Sequence, residues 1–188
     1  MLLQQVAAEL ARHPARQIPL GALRPAAVLV PLFLRDDEPW LLFTRRTEHL
    51  PKHSGEISFP GGGAEEQDAD VWQTALRETE EEVGILPGDV RRLGRLDDIY
   101  SVHGYRVQVC VGSYLAPYLY QVDANEIAEL IELPLARLRD PRIYHQENWR
   151  HRGRQVPVDF YLLDGHNIWG MTAAILKQLL QRLEPLFA

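Results

Sequence analysis

Residues 60–84 constrain this chain more than any other stretch, because a loop-forming cluster there runs into a helix with both ends marked. The loop carries Pro60-Gly61-Gly62-Gly63. Asp70 then precedes an apolar-periodic segment with Gln73 three residues on, the spacing of a capping box, in which each side chain satisfies an unpaired backbone donor. Gly84 supplies the stop. Trp72, Leu76, Thr79 and Val83 recur at helical spacing and make one largely apolar face, while Glu78, Glu81 and Glu82 share the opposite side. Carboxylates crowded near a helix C-terminus repel one another and oppose the helix dipole. A cation removes both conflicts, and clustered carboxylate oxygens suit hard Mg2+ or Mn2+. Taken alone, the helix reads more simply as a solvated acidic face, the fate of most glutamate runs.

Around this helix the chain reads mainly as strands. Residues 27–34 form a buried strand and 40–44 its partner, joined through the turn-like Arg35-Asp36-Asp37-Glu38-Pro39. Residues 46–70 read as loop, 93–99 and 105–114 as strands, and 117–125 as loop. Residues 126–132 read as strand or short helix, 135–138 as a helical turn and 156–163 as a strand. Ile175, Leu179 and Leu183 mark a closing helix over 169–187, and Leu3, Val6 and Leu10 an amphipathic helix within residues 1–20. No linker or repeat interrupts the chain, so 1–188 is expected to be a single domain. Strands interleaved with two substantial helices indicate an α/β or α+β sandwich.

Composition narrows the partners. Of 188 residues, 46% are hydrophobic, enough for one sizeable core. A formal net charge of −6 argues against nucleic acid, whereas a small phosphate compound bridged by a cation is compatible with it. The lone cysteine, Cys110, rules out an internal disulfide, cannot make a thiolate zinc site by itself and reads as a buried strand residue. His49, His53 and His103 lack zinc-ligand spacing. The apolar run 26–34 is too short for a bilayer and contains Pro31, and Arg12 and Arg16 interrupt the N-terminal stretch. No membrane partner and a cytoplasmic location are expected, and a homodimer is left open.

The register Arg77-Glu78-Thr79-Glu80-Glu81-Glu82-Val83-Gly84-Ile85, with Gly61-Gly62 upstream, resembles the core of the Nudix box. Thr79 stands where that pattern has an aliphatic residue. Ala69 stands where it has a further glutamate, and Arg77 lies one residue further from Gly62 than the pattern allows, so an insertion would shift Asp68 into that role. The resemblance implies a Nudix α/β/α sandwich with a mixed sheet and a catalytic loop-helix. It also implies metal-dependent hydrolysis of a diphosphate, with Glu78, Glu81, Glu82 and the Gly62 carbonyl as ligands of Mg2+ or Mn2+. Arg77 would orient a glutamate by an ion pair, and Glu126 is the candidate general base.

The segment before the box narrows the substrate. Thr44-Arg45-Arg46 leads through Gly55 to Phe59-Pro60-Gly61-Gly62, which resembles the signature of the coenzyme A pyrophosphatase branch of that family. Leu96-Asp97-Asp98-Ile99-Tyr100 and Ile168-Trp169-Gly170-Met171-Thr172-Ala173 agree with it, and the likeness spans about residues 27–180. Pro51 departs from it at a position that is often basic, where Lys52 or His53 would compensate. Arg45, Arg46 and Lys52 are the expected phosphate partners, since arginine grips phosphate through two parallel hydrogen bonds. Tyr100, with His103 and Tyr105, would line the adenine or pantetheine arm. Coenzyme A or a derivative is therefore the expected small-molecule nucleotide substrate, giving 3′-phosphoadenosine 5′-phosphate and 4′-phosphopantetheine or its acyl form. ADP-ribose, a dinucleotide or a modified nucleoside triphosphate is the first rival substrate. A non-catalytic Nudix binding or regulatory module is the second rival, and it leaves three mutually repelling carboxylates without a purpose.

Overall fold

A computed structural model describes residues 1–48, 55–151 and 153–187. Its centre is a mixed seven-stranded sheet built on β1 (Arg24–Arg35), which pairs in parallel with β6 (Tyr105–Ser113) and antiparallel with β2 (Glu38–Arg46). Outward from β6 lies β5 (Arg91–Ser101), and outward from β2 lies β7 (Ile127–Pro134). The turn between β1 and β2 holds Asp36 and Asp37 at φ 51° and 62°, both in the left-handed region that a tight two-residue hairpin requires and that aspartate tolerates.

β1 and β2 do not stay together. Their pairing runs from Leu32↔Leu41 to Arg35↔Glu38, after which the strands diverge. Two short strands fill the wedge: β3 (Ile57–Ser58) against Thr44 and Arg45, and β4 (Gly61–Gly63) against residues 26–28 of β1. The expectation of loop throughout 46–70 is corrected here, because each vacated strand edge is a row of unpaired backbone groups that the chain satisfies locally. The Leu29 N–H, for example, donates to the Pro60 carbonyl. Pro31 is tolerated in a central strand because it falls between the two pairings, where its missing N–H is not required.

Side chains of β1 alternate between two cores. Ala26, Val28, Val30 and Leu32 join the larger core under α1 (Leu2–Arg12) and α4 (Gly170–Leu183), while Ala27, Leu29 and Phe33 face α2 (Val71–Val83). Helices thus cover both faces of the sheet, the expected α/β/α sandwich. The N-terminal helix is shorter than residues 1–20, ending at Arg12 because Pro14 disfavours helical geometry at the residue before it. Asp97 accepts hydrogen bonds from the Arg16 amide and guanidinium and from Arg182, and Asp98 accepts from the Ile18 amide, so both tie the following segment to β5 and Asp97 also ties α4 to it. Cys110 is buried, and burial pushes its thiol up to about 12.

A second sheet, β8 (Tyr144–His151), β9 (Arg154–Leu163) and β10 (His166–Trp169), packs beside α4 and is joined to β7 through the short helix α3 (Leu135–Leu138). β8 was not foreseen: its side chains are almost all exposed, so no apolar alternation marks it. The closing helix begins only at Gly170, after β10, and gives way to a 3-10 turn at Glu184, next to Pro185. Among the described residues no helix is long and apolar enough to cross a membrane.

The α2 terminus sets up a stability test. Gly84 has φ 75°, and a Cβ there would lie 2.7 Å from the Gln121 amide, which caps the Val83 carbonyl. Gly84→Ala is expected to lower stability by about 2 kcal/mol, from left-handed backbone cost and displacement of the capping loop. Urea denaturation would show this as a lower midpoint at an unchanged slope. An unchanged midpoint would mean that the loop is not packed as described.

Candidate active site

The wedge delivers Gly61–Gly63 against the C-terminal half of α2. The helix starts as expected: Asp70 accepts from the Gln73 amide at 2.8 Å, although Gln73 returns its side-chain oxygen to the Ala69 amide rather than to that of Asp70. Its buried face carries Ala75, Leu76, Thr79 and Val83. Thr79, in the position where an aliphatic residue is usual, donates its hydroxyl to the Ala75 carbonyl at 2.6 Å and so buries its methyl without an orphaned oxygen.

Arg77 organises the loop-helix junction. Its guanidinium donates to both oxygens of Asp68 (3.2 and 3.1 Å), to the Gly63 carbonyl (3.0 Å), to Glu78 (3.0 Å) and to Glu81 (3.1 Å). Asp68 is partly buried, with its side chain 5% exposed, and also accepts from Thr74 and from the Glu65 amide. Hydrogen bonds, first of all from Arg77, hold its carboxyl at about 2, well below the usual carboxylate range. The insertion read from the spacing is therefore absorbed in the loop, and Asp68 reaches Arg77 from the position the sequence indicated.

Glu78 and Glu82 point toward the glycine strand. A Cβ on Gly62 would lie 2.4 Å from the Glu78 carboxylate and would push that side chain aside, whereas a Cβ on Gly61 would strike the Ala27 backbone carbonyl at 2.4 Å, so glycine is required at Gly61. Glu82 is buried, not on a solvated face, and one of its carboxylate oxygens has no hydrogen-bond partner. Its other oxygen lies 3.4 Å from Arg46, which also reaches Glu126 at 3.3 Å. Desolvation pushes Glu82 up to about 8, with Arg46 opposing and Glu78 and Glu126 adding to the rise. Burial likewise raises Glu78, against the pull of Arg77. Glu81 and Glu126 are more exposed.

Among the described residues, no three side chains of the His, Cys, Asp or Glu type close on a single metal position. Two guanidiniums, Arg77 and Arg46, take up the carboxylates instead. The donor set nevertheless fits a hard divalent cation: clustered carboxylates, a glycine backbone pressed against one of them, and a buried carboxylate oxygen with no partner.

A cavity of about 610 Å³ lies beside this cluster: Glu78, Glu81, Glu82 and Glu126 do not line it, but Arg46, which reaches Glu82 and Glu126, does. Arg46, Gly61 and Glu56 border one part of it, and Ile99 to His103 of the β5–β6 turn, Trp149 to His151 of β8, Val156 to Asp159 of β9 and the start of α4 border the rest. Arg46 and Tyr100 are thus brought to the same space. Arg45 is not: it pairs with Glu129 at 2.7 Å and bridges to His166 of the second sheet at 2.9 Å. Tyr105 packs under Arg24, away from the cavity. Lys52 and His53, with Pro51, lie outside the described residues. Glu56 and the β8 wall were missed, since nothing in their local sequence marks them as lining a site.

Glu82 gives a pH test. Its folded value of about 8 exceeds the ordinary 4.5, so the folded protein holds the extra proton between those values, and stability falls as pH rises through that window. In chelator, Glu82→Gln is expected to be the more stable protein at pH 9, by on the order of a few kcal/mol, and to show little difference at pH 4. Parallel denaturation profiles for the two proteins would contradict this.

The comparisons with known proteins agree with this fold. The NUDIX domain model matches residues 23–150. Proteins from Escherichia coli and Shigella boydii named "Uncharacterized Nudix hydrolase NudL" are 40% identical over 156 residues, covering 83% of this chain and 81% of theirs. Among solved structures, a MutT/nudix family protein from Enterococcus faecalis superposes with TM-score 0.56 at 15% identity, covering 87% of this chain and 62% of that one. A Caenorhabditis elegans Ap4A hydrolase superposes with TM-score 0.53 at 17% identity, covering 88% and 99%. The chain belongs to the Nudix family and is a hydrolase of pyrophosphate bonds in nucleoside diphosphate derivatives.

Proposed function

We propose that this Nudix hydrolase cleaves the diphosphate of coenzyme A or its derivatives, adding water across the P–O–P bridge to give 3′-phosphoadenosine 5′-phosphate and 4′-phosphopantetheine or its acyl form. The observation that carries the reading is the cavity. It runs from Arg46, which reaches Glu82 and Glu126, and Gly61 to a largely apolar and aromatic region at Tyr100, Val102, Trp149, Val156, Trp169 and Met171, a shape suited to a diphosphate substrate whose bulky group extends away from the glutamates. The residues that resemble the coenzyme A signature support it, because Gly55 to Gly62 and Thr44 to Arg46 are the segments that form the wedge and its cationic edge. The Caenorhabditis elegans Ap4A hydrolase shares only the fold, and the NudL relatives carry no substrate in their name.

In this reading Glu78, Glu82 and the Gly62 carbonyl, with Glu81 at the outer edge, hold Mg2+ or Mn2+. Bound there, the cation neutralises the diphosphate and lowers the pKa of the attacking water. Arg77 keeps Glu78 and Glu81 in register through its anchor on Asp68. Arg46 turns from Glu82 and Glu126 to a phosphate oxygen, for which its fork of donors is suited. Glu126, released from that ion pair, takes the proton of the attacking water. The walls of the second sheet limit access of bulk water to the diphosphate.

Hydrolysis of coenzyme A is expected with Mg2+ or Mn2+ and not in excess chelator, and chromatography of coenzyme A, dephospho-coenzyme A, ADP-ribose and dinucleoside polyphosphates would rank coenzyme A first by kcat/KM. Glu78→Gln and Glu82→Gln should each lower kcat by about 10²-fold or more, the scale for removing one group that stabilises developing charge. A higher kcat/KM for ADP-ribose or a dinucleotide would overturn the substrate assignment, and near-native turnover in both variants would overturn the site.

A further inference from the structure

A carboxylate that fastens the second sheet to α4 is used on one side only. Asp159 of β9 lies across from Gln146 of β8, on the face of that sheet that meets α4. Its Oδ1 accepts from the Tyr144 hydroxyl at 2.7 Å, the Gln146 side-chain amide at 2.8 Å and the Lys177 ammonium at 2.9 Å, and Lys177 also donates to the Tyr144 hydroxyl at 2.8 Å. Its Oδ2 accepts from no described residue. Nor is that oxygen sealed from solvent, unlike the orphaned Oε2 of Glu82. Asp159 borders the cavity of about 610 Å³ and not the smaller cleft beside Tyr144 and Lys177, so Oδ2 is presented to the cavity. Burial opposes ionisation of Asp159, but the hydrogen bonds from Tyr144, Lys177 and Gln146 outweigh it and hold the carboxyl below its ordinary value.

The neighbours of this carboxylate limit what can meet it. Pro157 lies two residues back on the same face of β9, and Ala174 lies one turn before Lys177 on α4; both border the cavity and neither side chain has a donor. Arg150 borders the cavity too, but its partner across the sheet is Gln155, roughly 13 Å of strand from Asp159. A phosphate placed at Oδ2 would set anion against anion. A plain apolar group would strip water from the oxygen and return nothing. An N–H or O–H on an uncharged group satisfies it, and the three donors on Oδ1 hold the acceptor ready in place.

We propose that Asp159 is a specificity-determining residue whose Oδ2 accepts a hydrogen bond from an N–H or O–H on the uncharged arm of the substrate, the part that extends from the diphosphate away from the glutamates. In coenzyme A that donor is an amide or hydroxyl of the pantetheine arm, an assignment that rests on the proposed function; in ADP-ribose it would be a ribose hydroxyl.

Asparagine separates this role from the clamp. The Lys177 ammonium can only donate, so Asp159→Asn keeps its carbonyl oxygen on the clamp and turns its NH2 to the cavity, where a donor replaces the acceptor. Titration calorimetry of the chain with 4′-phosphopantetheine, ribose 5-phosphate and adenosine 3′,5′-bisphosphate reads the effect without turnover. Asp159→Asn is expected to weaken 4′-phosphopantetheine by about tenfold or more, the scale for a hydrogen bond to a charged group, and to leave the bisphosphate within about twofold. Lys177→Gln, which loosens the clamp but leaves the carboxylate, should lower Tm and largely keep the affinity for 4′-phosphopantetheine. Ala174→Leu, which narrows the cavity beside Asp159 without touching the clamp, should weaken 4′-phosphopantetheine as Asp159→Asn does, and it decides the matter if that variant does not fold. Unchanged 4′-phosphopantetheine affinity in Asp159→Asn would overturn the proposal. So would an equal loss for all three ligands, or the same loss in Lys177→Gln, either of which makes Asp159 a clamp and nothing more. A loss confined to ribose 5-phosphate would keep the acceptor role and overturn the pantetheine assignment. If 4′-phosphopantetheine depends on Asp159 as expected but coenzyme A is not hydrolysed, the substrate assignment fails and the acceptor role stands.

Discussion

The guanidinium of Arg77 is the fixed point of this molecule's chemistry. It lies where a loop of small residues meets a helix crowded with carboxylates, and its donors are divided between the two. On the loop side it is gripped by both oxygens of Asp68 and by the Gly63 carbonyl; on the helix side it holds Glu78 and Glu81. Without that cation the helix would present repelling carboxylates to a glycine strand that has no side chains with which to answer them. Arginine suits the task better than lysine because its planar fork satisfies several oxygens at fixed angles. The low pKa of Asp68 and the raised one of Glu78 express the same arrangement: the pair with Arg77 dominates at Asp68, and desolvation at Glu78.

Backbone geometry decides what surrounds that point. Because β1 and β2 separate beyond Leu32 and Leu41, the chain threads β3 and β4 between them, and the two glycines at the base of the wedge let the backbone approach β1 and the Glu78 carboxylate. The same divergence carries the end of β2, with Arg46, across to Glu82 and Glu126. Arg45, one residue earlier at a register shift against β7, turns instead to Glu129 and His166 and helps to join the two sheets. Adjacent arginines of similar chemistry thus receive different surroundings, because successive side chains of a strand face opposite sides of the sheet.

Much of this was legible in the sequence, and the exceptions have physical causes. The capped helix, its glycine stop and the β1–β2 hairpin follow from local signals, and the extra residue between Gly62 and Arg77 pointed to Asp68. Burial of Glu82 was not legible, because it depends on where Arg46 and the glycine strand arrive rather than on helical spacing. β8 escaped notice because an edge strand with almost all its side chains exposed carries no alternation. The cavity wall drawn from it combines residues about fifty positions away from the β5–β6 turn, and no local pattern records that meeting. Lys52, proposed to bind phosphate, falls outside the described residues.

The central claim is that Glu78 and Glu82 form one cation site with the glycine strand, rather than two separate ion pairs with arginine. Electron paramagnetic resonance of Mn2+ titrated into the substrate-free chain tests it most directly, with the exposed Glu80 as control. The account expects stoichiometric Mn2+ binding that weakens at least tenfold in Glu78→Gln and in Glu82→Gln and is unchanged in Glu80→Gln. Equal Mn2+ binding in all four proteins would contradict it.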